Sequence, residues 1–192
     1  MTTETTPTRA RPLGVEQRQD MIIAAVTPLL LERGATVTSK EIAEAAGIAE
    51  GTIFRAFGDK ETLIAAAVER YLDPLALRTA LASIDPDFSL DDKLKTIFGL
   101  LQDRFTGVIR MMSAMHRTGP PPRRDDRMDF AEIVTELLEP HRAELRIAPE
   151  QVAQFARMVA FASAIPAFGD SLPFTKDDLI DFFKHGVMKG NN

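Results

Sequence analysis

The residue types and spacings that could do chemistry are concentrated between Thr38 and Lys60. Ser39–Gly58 reads Ser-Lys-Glu-Ile-Ala-Glu-Ala-Ala-Gly-Ile-Ala-Glu-Gly-Thr-Ile-Phe-Arg-Ala-Phe-Gly. Two short helices joined by a tight turn can cross steeply only if their contact residues are small and the turn admits an unusual backbone. Ala43 and Ala46 are small enough, and Gly47 reaches positive φ without steric cost. Ile42, Ile48 and Ile53 fall where each helix must bury a face. This is the spacing of a helix-turn-helix, whose second helix presents its N-terminal residues to base edges in the DNA major groove.

On that reading Glu50, Gly51, Thr52 and Arg55 are exposed, while Ile53 and Phe57 face inward. Gly51 lets backbone approach a phosphate closely, and Thr52 offers a hydroxyl to phosphate or base. Arg55 can pair with guanine or phosphate, and Glu50 can accept from cytosine N4. Lys60 opens the following helix, where its ammonium and the helix amides can face a phosphate. The full candidate DNA-contacting set is Thr38, Ser39, Lys40, Glu50, Gly51, Thr52, Phe54, Arg55 and Lys60. An αα-hairpin inside a helical bundle has the same small-residue pattern and stays open on the pattern alone.

The elements that must position these residues are helical. Ile22, Ala25, Val26, Leu29 and Leu30 form one stripe from Val15 to the stop at Gly34, with Pro28 expected to kink the last turn. Thr38 with Glu41 has capping-box spacing. A third helix is expected over about Ala49–Phe57. A fourth, N-capped by Asp59, runs from Lys60 through Leu72 and toward Ala82, with a break at Pro74. Further on, Leu94, Ile97, Phe98, Leu101, Phe105, Val108, Ile109 and Met112 make a long stripe. Val152, Phe155, Ala156, Val159, Ala160 and Ile165 make another, and Leu179, Ile180, Phe182, Phe183 and Val187 a last one. No segment alternates with period two, so the fold class is all-α. Residues 1–14, rich in Thr with Arg9 and Arg11, read as a flexible arm.

Composition narrows the function. The chain has 192 residues and a net charge of −5, so any nucleic-acid binding must be local. With no cysteine, thiol nucleophiles and thiolate zinc sites are excluded, and three histidines argue against a multi-histidine metal site. No cofactor or metal is expected. Carboxylates scattered over amphipathic helices, with one tyrosine, disfavour an enzyme. The longest apolar runs, Met21–Val26 and Leu63–Val68, fall far short of the ~20 residues of a membrane span, so a cytoplasmic protein is expected.

The segment from about 15 to 70 resembles the TetR/AcrR family of bacterial transcription regulators. Glu32-Arg33-Gly34, Val37-Thr38, Glu41–Ile48, Gly51–Arg55, Phe57 and Lys60–Leu63 stand in the family's order and spacing. The resemblance implies a three-helix DNA-binding head on a larger helical-bundle body that binds a small ligand and dimerises. It implies an arm at 1–14, a head at 15–60 and a body at 61–192. It also implies a repressor that binds a pseudo-palindromic operator as a homodimer through its last two long helices, about 149–168 and 175–189. Three positions depart from the family. Ala49 stands where a capping Ser or Thr is usual, which costs ~1 kcal/mol. Phe54 and Ala56 replace a usual tyrosine and histidine. Residues 1–60 carry seven basic against eight acidic residues, so binding leans on Arg9, Arg11 and Arg18 and on dimer avidity.

For the body, a Phe/Met-rich cavity lined by Phe98, Phe105, Met112, Met115 and His116 is the expected site of a small apolar or aromatic effector, with ordinary core packing as the alternative. The Pro/Arg/Asp stretch at 119–127 is a solvated loop or a cover for that cavity. The competing function is a helical small-molecule-binding protein with weak or lost DNA binding.

Overall fold

A computed structural model describes residues 14–116, 130–165 and 174–190. Most of the arm expected over 1–14, the loop at 119–127 and the far end of the helix expected to reach 168 lie outside the described residues. Among the described residues there is no β-strand, and Leu145 and Met188 form an isolated antiparallel bridge. The chain divides into two compact units, Met1–Tyr71 and Leu72–Asn192.

In the first unit α1 (Val15–Arg33) buries Ile22, Val26 and Leu30, four residues apart along one face. The helix runs through Pro28 to Arg33. Pro28 and Ala24, whose carbonyl loses the proline's missing N–H, are both exposed, so water can take that acceptor. A 3₁₀ turn, Gly34–Thr36, leads to the fully buried Val37.

Helix α2 (Ser39–Ala46) starts in a complete capping box. Thr38 Oγ1 accepts the Glu41 N–H at 3.3 Å, and Glu41 Oε2 accepts the Thr38 N–H at 2.8 Å. It ends at Gly47, with φ 64° and ψ 35°. Helix α3 (Glu50–Phe57) buries Ile53. Helix α4 (Lys60–Leu72) buries Leu63, Ile64, Ala67 and Val68, and is joined to α1 by Arg70 Nη1 to Asp20 Oδ1 at 2.7 Å.

The second unit contains α5 (Leu75–Ala82), α6 (Leu90–Ala114), α7 (Phe130–Leu138), α8 (Pro149–Ala164) and α9 (Lys176–Val187), with a 3₁₀ turn at Glu139–Glu144. Helix α6 packs against all four other helices. Its buried face comprises Leu90, Leu94, Ile97, Phe98, Leu101, Val108 and Met111. Phe98 stacks on Phe183 of α9 with centroids 5.0 Å apart, and Phe155 of α8 meets the same ring at 5.9 Å. Lys184–Asp91 and Lys176–Asp103 ion pairs, both 2.6 Å, fasten α9 to α6 at the surface.

Two polar residues, Lys93 and Gln102, interrupt this apolar face. Lys93 is 1% exposed, and its Nζ lies 3.0 Å from His141 Nε2. His141 Nδ1 in turn lies 2.8 Å from Glu144 Oε1. An ammonium can only donate, so His141 receives it on Nε2 and donates from Nδ1 to the carboxylate. The chain Lys93–His141–Glu144 thus compensates a charge buried in the core, and its partners should be unequal in mutation. Deleting His141 strands the ammonium, whereas deleting the ammonium removes the need for compensation. In urea denaturation His141→Ala should lose ~1–3 kcal/mol, while Lys93→Met should stay within about 1 kcal/mol of the parent. A larger loss from Lys93→Met than from His141→Ala contradicts this account.

Candidate functional site

The crossing of α2 and α3 rests on the turn between them. The Gly47 N–H reaches the Glu44 carbonyl at 3.2 Å and the Ile48 N–H reaches Ala43 at 3.0 Å, closing α2 with backbone bonds alone. Ala49 then takes extended angles, φ −72° and ψ 141°, and no side chain caps α3. The Thr52 N–H closes instead on the Ala49 carbonyl at 2.8 Å. At the other end Gln19 Nε2 of α1 donates to the Ala56 carbonyl at 2.7 Å. This bond ties the C-terminus of α3 to α1 across 37 positions, and nothing in the local pattern around Gln19 announces it.

Of the residues expected at DNA, Glu50, Gly51, Phe54 and Arg55 are exposed and Thr52 is half-buried, all on α3. Arg55 forms no ion pair with any described residue. A Cβ added at Gly51 would meet nothing within 4 Å, so no contact inside the protein requires glycine there.

The residues expected on the flanking elements are differently occupied. Thr38 Oγ1 both accepts from Glu41 and donates to its Oε2, at 2.9 Å, so its hydroxyl is committed to the cap. Ser39 is half-buried, and Lys40 is exposed opposite Glu44 at 4.0 Å. Lys60 is half-buried, with Nζ donating to the Val37 carbonyl at 3.3 Å. Asp59 Oδ1 accepts the Thr62 N–H at 2.6 Å, and its hydrogen bonds from the Thr62 side chain and backbone hold its carboxyl below the ordinary range. A carboxylate therefore already occupies the start of α4, where the sequence alone suggests a phosphate.

In the second unit a cavity of ≈ 680 Å³ opens among α5, α6, α7 and α8. Its apolar wall includes Leu77, Leu101, Phe105, Phe130, Met158 and Phe161, and its polar lining is Arg78, Gln154 and Arg157. Phe105 meets Phe161 edge to face at 5.4 Å. Of the five residues expected in a ligand cavity, Phe105 alone lines this one. Phe98 is fully buried against Phe183, on the side of α6 that faces α9. Met112 and Met115 are half-buried and His116 is exposed with φ 50°, all at the C-terminal end of α6. Sequence reasoning missed Arg78, Gln154 and Arg157, whose charged and polar types mimic ordinary solvated helix faces. Among the described residues no group of histidine and acidic side chains is placed to hold a metal, and no helix is long and apolar enough to cross a membrane.

A helix-turn-helix with an exposed second helix defines the first unit as a DNA-binding one. Residues 22–67 match the model of bacterial regulatory proteins of the tetR family, so the resemblance to that family falls on the first unit. No curated protein matches the chain. Among solved structures it is similar to a TetR transcriptional regulator from Streptomyces coelicolor, with TM-score 0.61 and 22% identity over 90% of this chain and 99% of that one. A protein solved in work on the control of antibiotic production by a bacterial hormone aligns with TM-score 0.60 and 17% identity, over 92% and 100% of the two chains. NalD, the secondary repressor of a Pseudomonas aeruginosa multidrug efflux pump, aligns with TM-score 0.50 and 18% identity, over 91% and 98%. At these identities the likeness shows a shared fold.

The local geometry makes two measurable claims. The backbone and hydroxyl hydrogen bonds of Thr38, followed by the Arg33 guanidinium, lower the Glu41 pKa from 4.5 to about 2. A depressed carboxyl stabilises the cap above its unfolded pKa, and that contribution is lost as pH falls from about 4.5 toward 2. NMR titration of the Glu41 carboxyl should show the low midpoint, and Thr38→Val should move it back toward 4.5. An unchanged midpoint in the variant removes the hydroxyl from the causes and leaves the Thr38 backbone N–H and Arg33. Separately, Ala49→Ser should supply the missing cap of α3 and raise stability by ~1 kcal/mol in chemical denaturation.

Proposed function

We propose that the chain is a ligand-responsive repressor that binds a pseudo-palindromic operator as a homodimer, with α3 of each copy in the major groove. The observation that carries the reading is Gly51. It sits in the first turn of an exposed helix, has open space where a side chain would stand, and no packing demands it. Glycine costs a helix interior ~1 kcal/mol relative to alanine. Close approach of another backbone, here a DNA phosphate, is the physical reason for such a residue on this surface. Thr52 and Arg55 flank it as readers, and Glu50 and Phe54 complete the exposed edge. Thr38, Ser39, Lys40 and Lys60 contribute positioning, Lys60 by exchanging the Val37 carbonyl for a phosphate oxygen.

Helices α8 and α9 are the proposed dimer surface. Phe174 and Phe182 stand exposed at α9 with their rings edge to face at 5.4 Å, an arrangement that buries apolar area on association. The cavity around Phe105 is the proposed effector site, with Met112, Met115 and His116 beyond it along α6. The efflux-pump repressor and the antibiotic-control protein of like fold support a regulator that answers to a small molecule. Such a ligand lowers operator affinity only by its preference for the non-binding arrangement of the dimer.

A second reading, a ligand-binding protein with weak DNA affinity, is favoured by the uncapped Ala49 and by the Asp59 carboxylate at the start of α4. Gel shift and footprinting on the DNA upstream of the chain's own coding sequence separate the two. A repressor protects two half-sites about one helical turn apart, roughly 34 Å.

Gly51→Leu should abolish this binding while leaving thermal stability within about 1 kcal/mol of the parent, because the site is open in the free protein. Thr52→Ala and Arg55→Ala should alter sequence preference, at ~1–3 kcal/mol for each bidentate pairing with a base that the substitution removes. Lys60→Ala should weaken all sequences alike and lower the salt slope by roughly one. Retained operator binding by Gly51→Leu overturns the close approach at α3.

A further inference from the structure

The cavity of the second unit has an apolar wall with cations set into it. Helix α8 supplies Gln154, Arg157, Met158 and Phe161, at i, i+3, i+4 and i+7, so one helix face runs from a polar to an apolar end. Leu77 and Arg78 contribute the same pairing of types from the α5 side. Among the described lining residues there is no aspartate or glutamate.

This charge distribution differs from that of the rest of the chain, in which 28 acidic residues outnumber 23 basic ones. Four arginines elsewhere have acceptors: Arg33 pairs with Glu41, Arg70 with Asp20 and Arg142 with Glu139, and Arg104 donates to the Asp73 carbonyl. Among the described residues Arg78 and Arg157 have no ion pair or side-chain hydrogen bond. Arg78 is half-buried and Arg157 exposed; a ligand that covers them displaces their water, and a carboxylate replaces it best, through two parallel charge-assisted bonds. A cationic ligand would meet two like charges without a counter-charge. A purely apolar ligand would cover both guanidiniums and return nothing for the water displaced.

We infer that the cavity binds an anionic amphiphile, a carboxylate on an apolar chain or ring, with Arg78 and Arg157 gripping the carboxylate and Phe105, Phe130, Met158 and Phe161 holding the apolar body. The Gln154 amide donates a further bond to the same head. The cavity's ≈ 680 Å³ lies within the ~300–1,000 Å³ typical of small-molecule sites. The inference rests on the reading of this cavity as the effector site and narrows its ligand to one class.

The test uses the full chain and two families of probes, decyl and naphthyl, each as carboxylate, alcohol and ammonium. The chain has no tryptophan and one tyrosine, so calorimetry is the direct readout. At least one carboxylate should bind ~10-fold or more tighter than its alcohol, and its ammonium more weakly still. Arg78→Met/Arg157→Met should reduce carboxylate binding to the level of the alcohol with the circular dichroism spectrum unchanged. Arg157→Glu should reverse the order of carboxylate and ammonium. Equal or tighter binding of alcohol or ammonium by the parent, unaltered carboxylate binding in the double variant, or no binding of any carboxylate overturns the inference. Adding the bound carboxylate to the operator gel shift tests the effector reading separately. Binding without any change in the shift refutes that reading and leaves the ligand class standing.

Discussion

At Gly47 the chain must end one helix and launch another across it within three residues. The backbone achieves this in the left-handed region, φ 64° and ψ 35°, where a side chain would cost ~1–2 kcal/mol. Because Gly47 N–H and Ile48 N–H both return to α2 carbonyls, the turn consumes no side chain. Ile42 and Ala43 before it and Ile53 after it can then bury together with Ile22, Val26 and Leu30 of α1. With its inner face fixed by this packing and its end fixed by Gln19, α3 has one surface left for another molecule.

The polar side chains near that surface divide by what already occupies them. Thr38, Asp59 and Lys60 are engaged in caps and a backbone contact that hold α2 and α4 in place. Gly51 and Arg55 carry no such duty, and Thr52 is bound only through its backbone. Residues of the first kind set where the helices stand, and only those of the second kind can change partners without cost to the fold. On the proposed reading, base contacts therefore concentrate on the exposed half of the eight-residue helix Glu50–Phe57.

Much of this frame was legible because it is written in local patterns. The stripe of α1, the Thr38–Glu41 cap, the stop at Gly47, the Asp59 cap and the break at Pro74 each follow from residues within a turn of one another. The long stripe of α6 was legible too, although the buried methionine is Met111 and Met112 lies at its edge. A stripe read at ideal spacing drifts over 25 residues, and the neighbours decide which of two adjacent side chains points inward. The cavity was not legible beyond Phe105, because its polar lining comes from α5 and α8. The burial of Lys93 was hidden for the same reason. Its compensating histidine is 48 residues away, and a lysine between Leu90 and Leu94 looks like any solvated position.

Both proposed ligands of this chain are anions, although the protein as a whole is one. Residues 1–60 are nearly balanced, with seven basic and eight acidic side chains, so long-range attraction to DNA is weak. Recognition must come from contacts shorter than the Debye length, ~8 Å at physiological salt. Salt screens the distant repulsion as well as the near attraction, so the two effects partly cancel. The same argument applies to the cavity, where the proposed contacts of Arg78 and Arg157 with a carboxylate are direct hydrogen bonds, shorter than the Debye length. An acidic protein that sets cations at a binding surface selects an anion by fit and repels anions that do not fit.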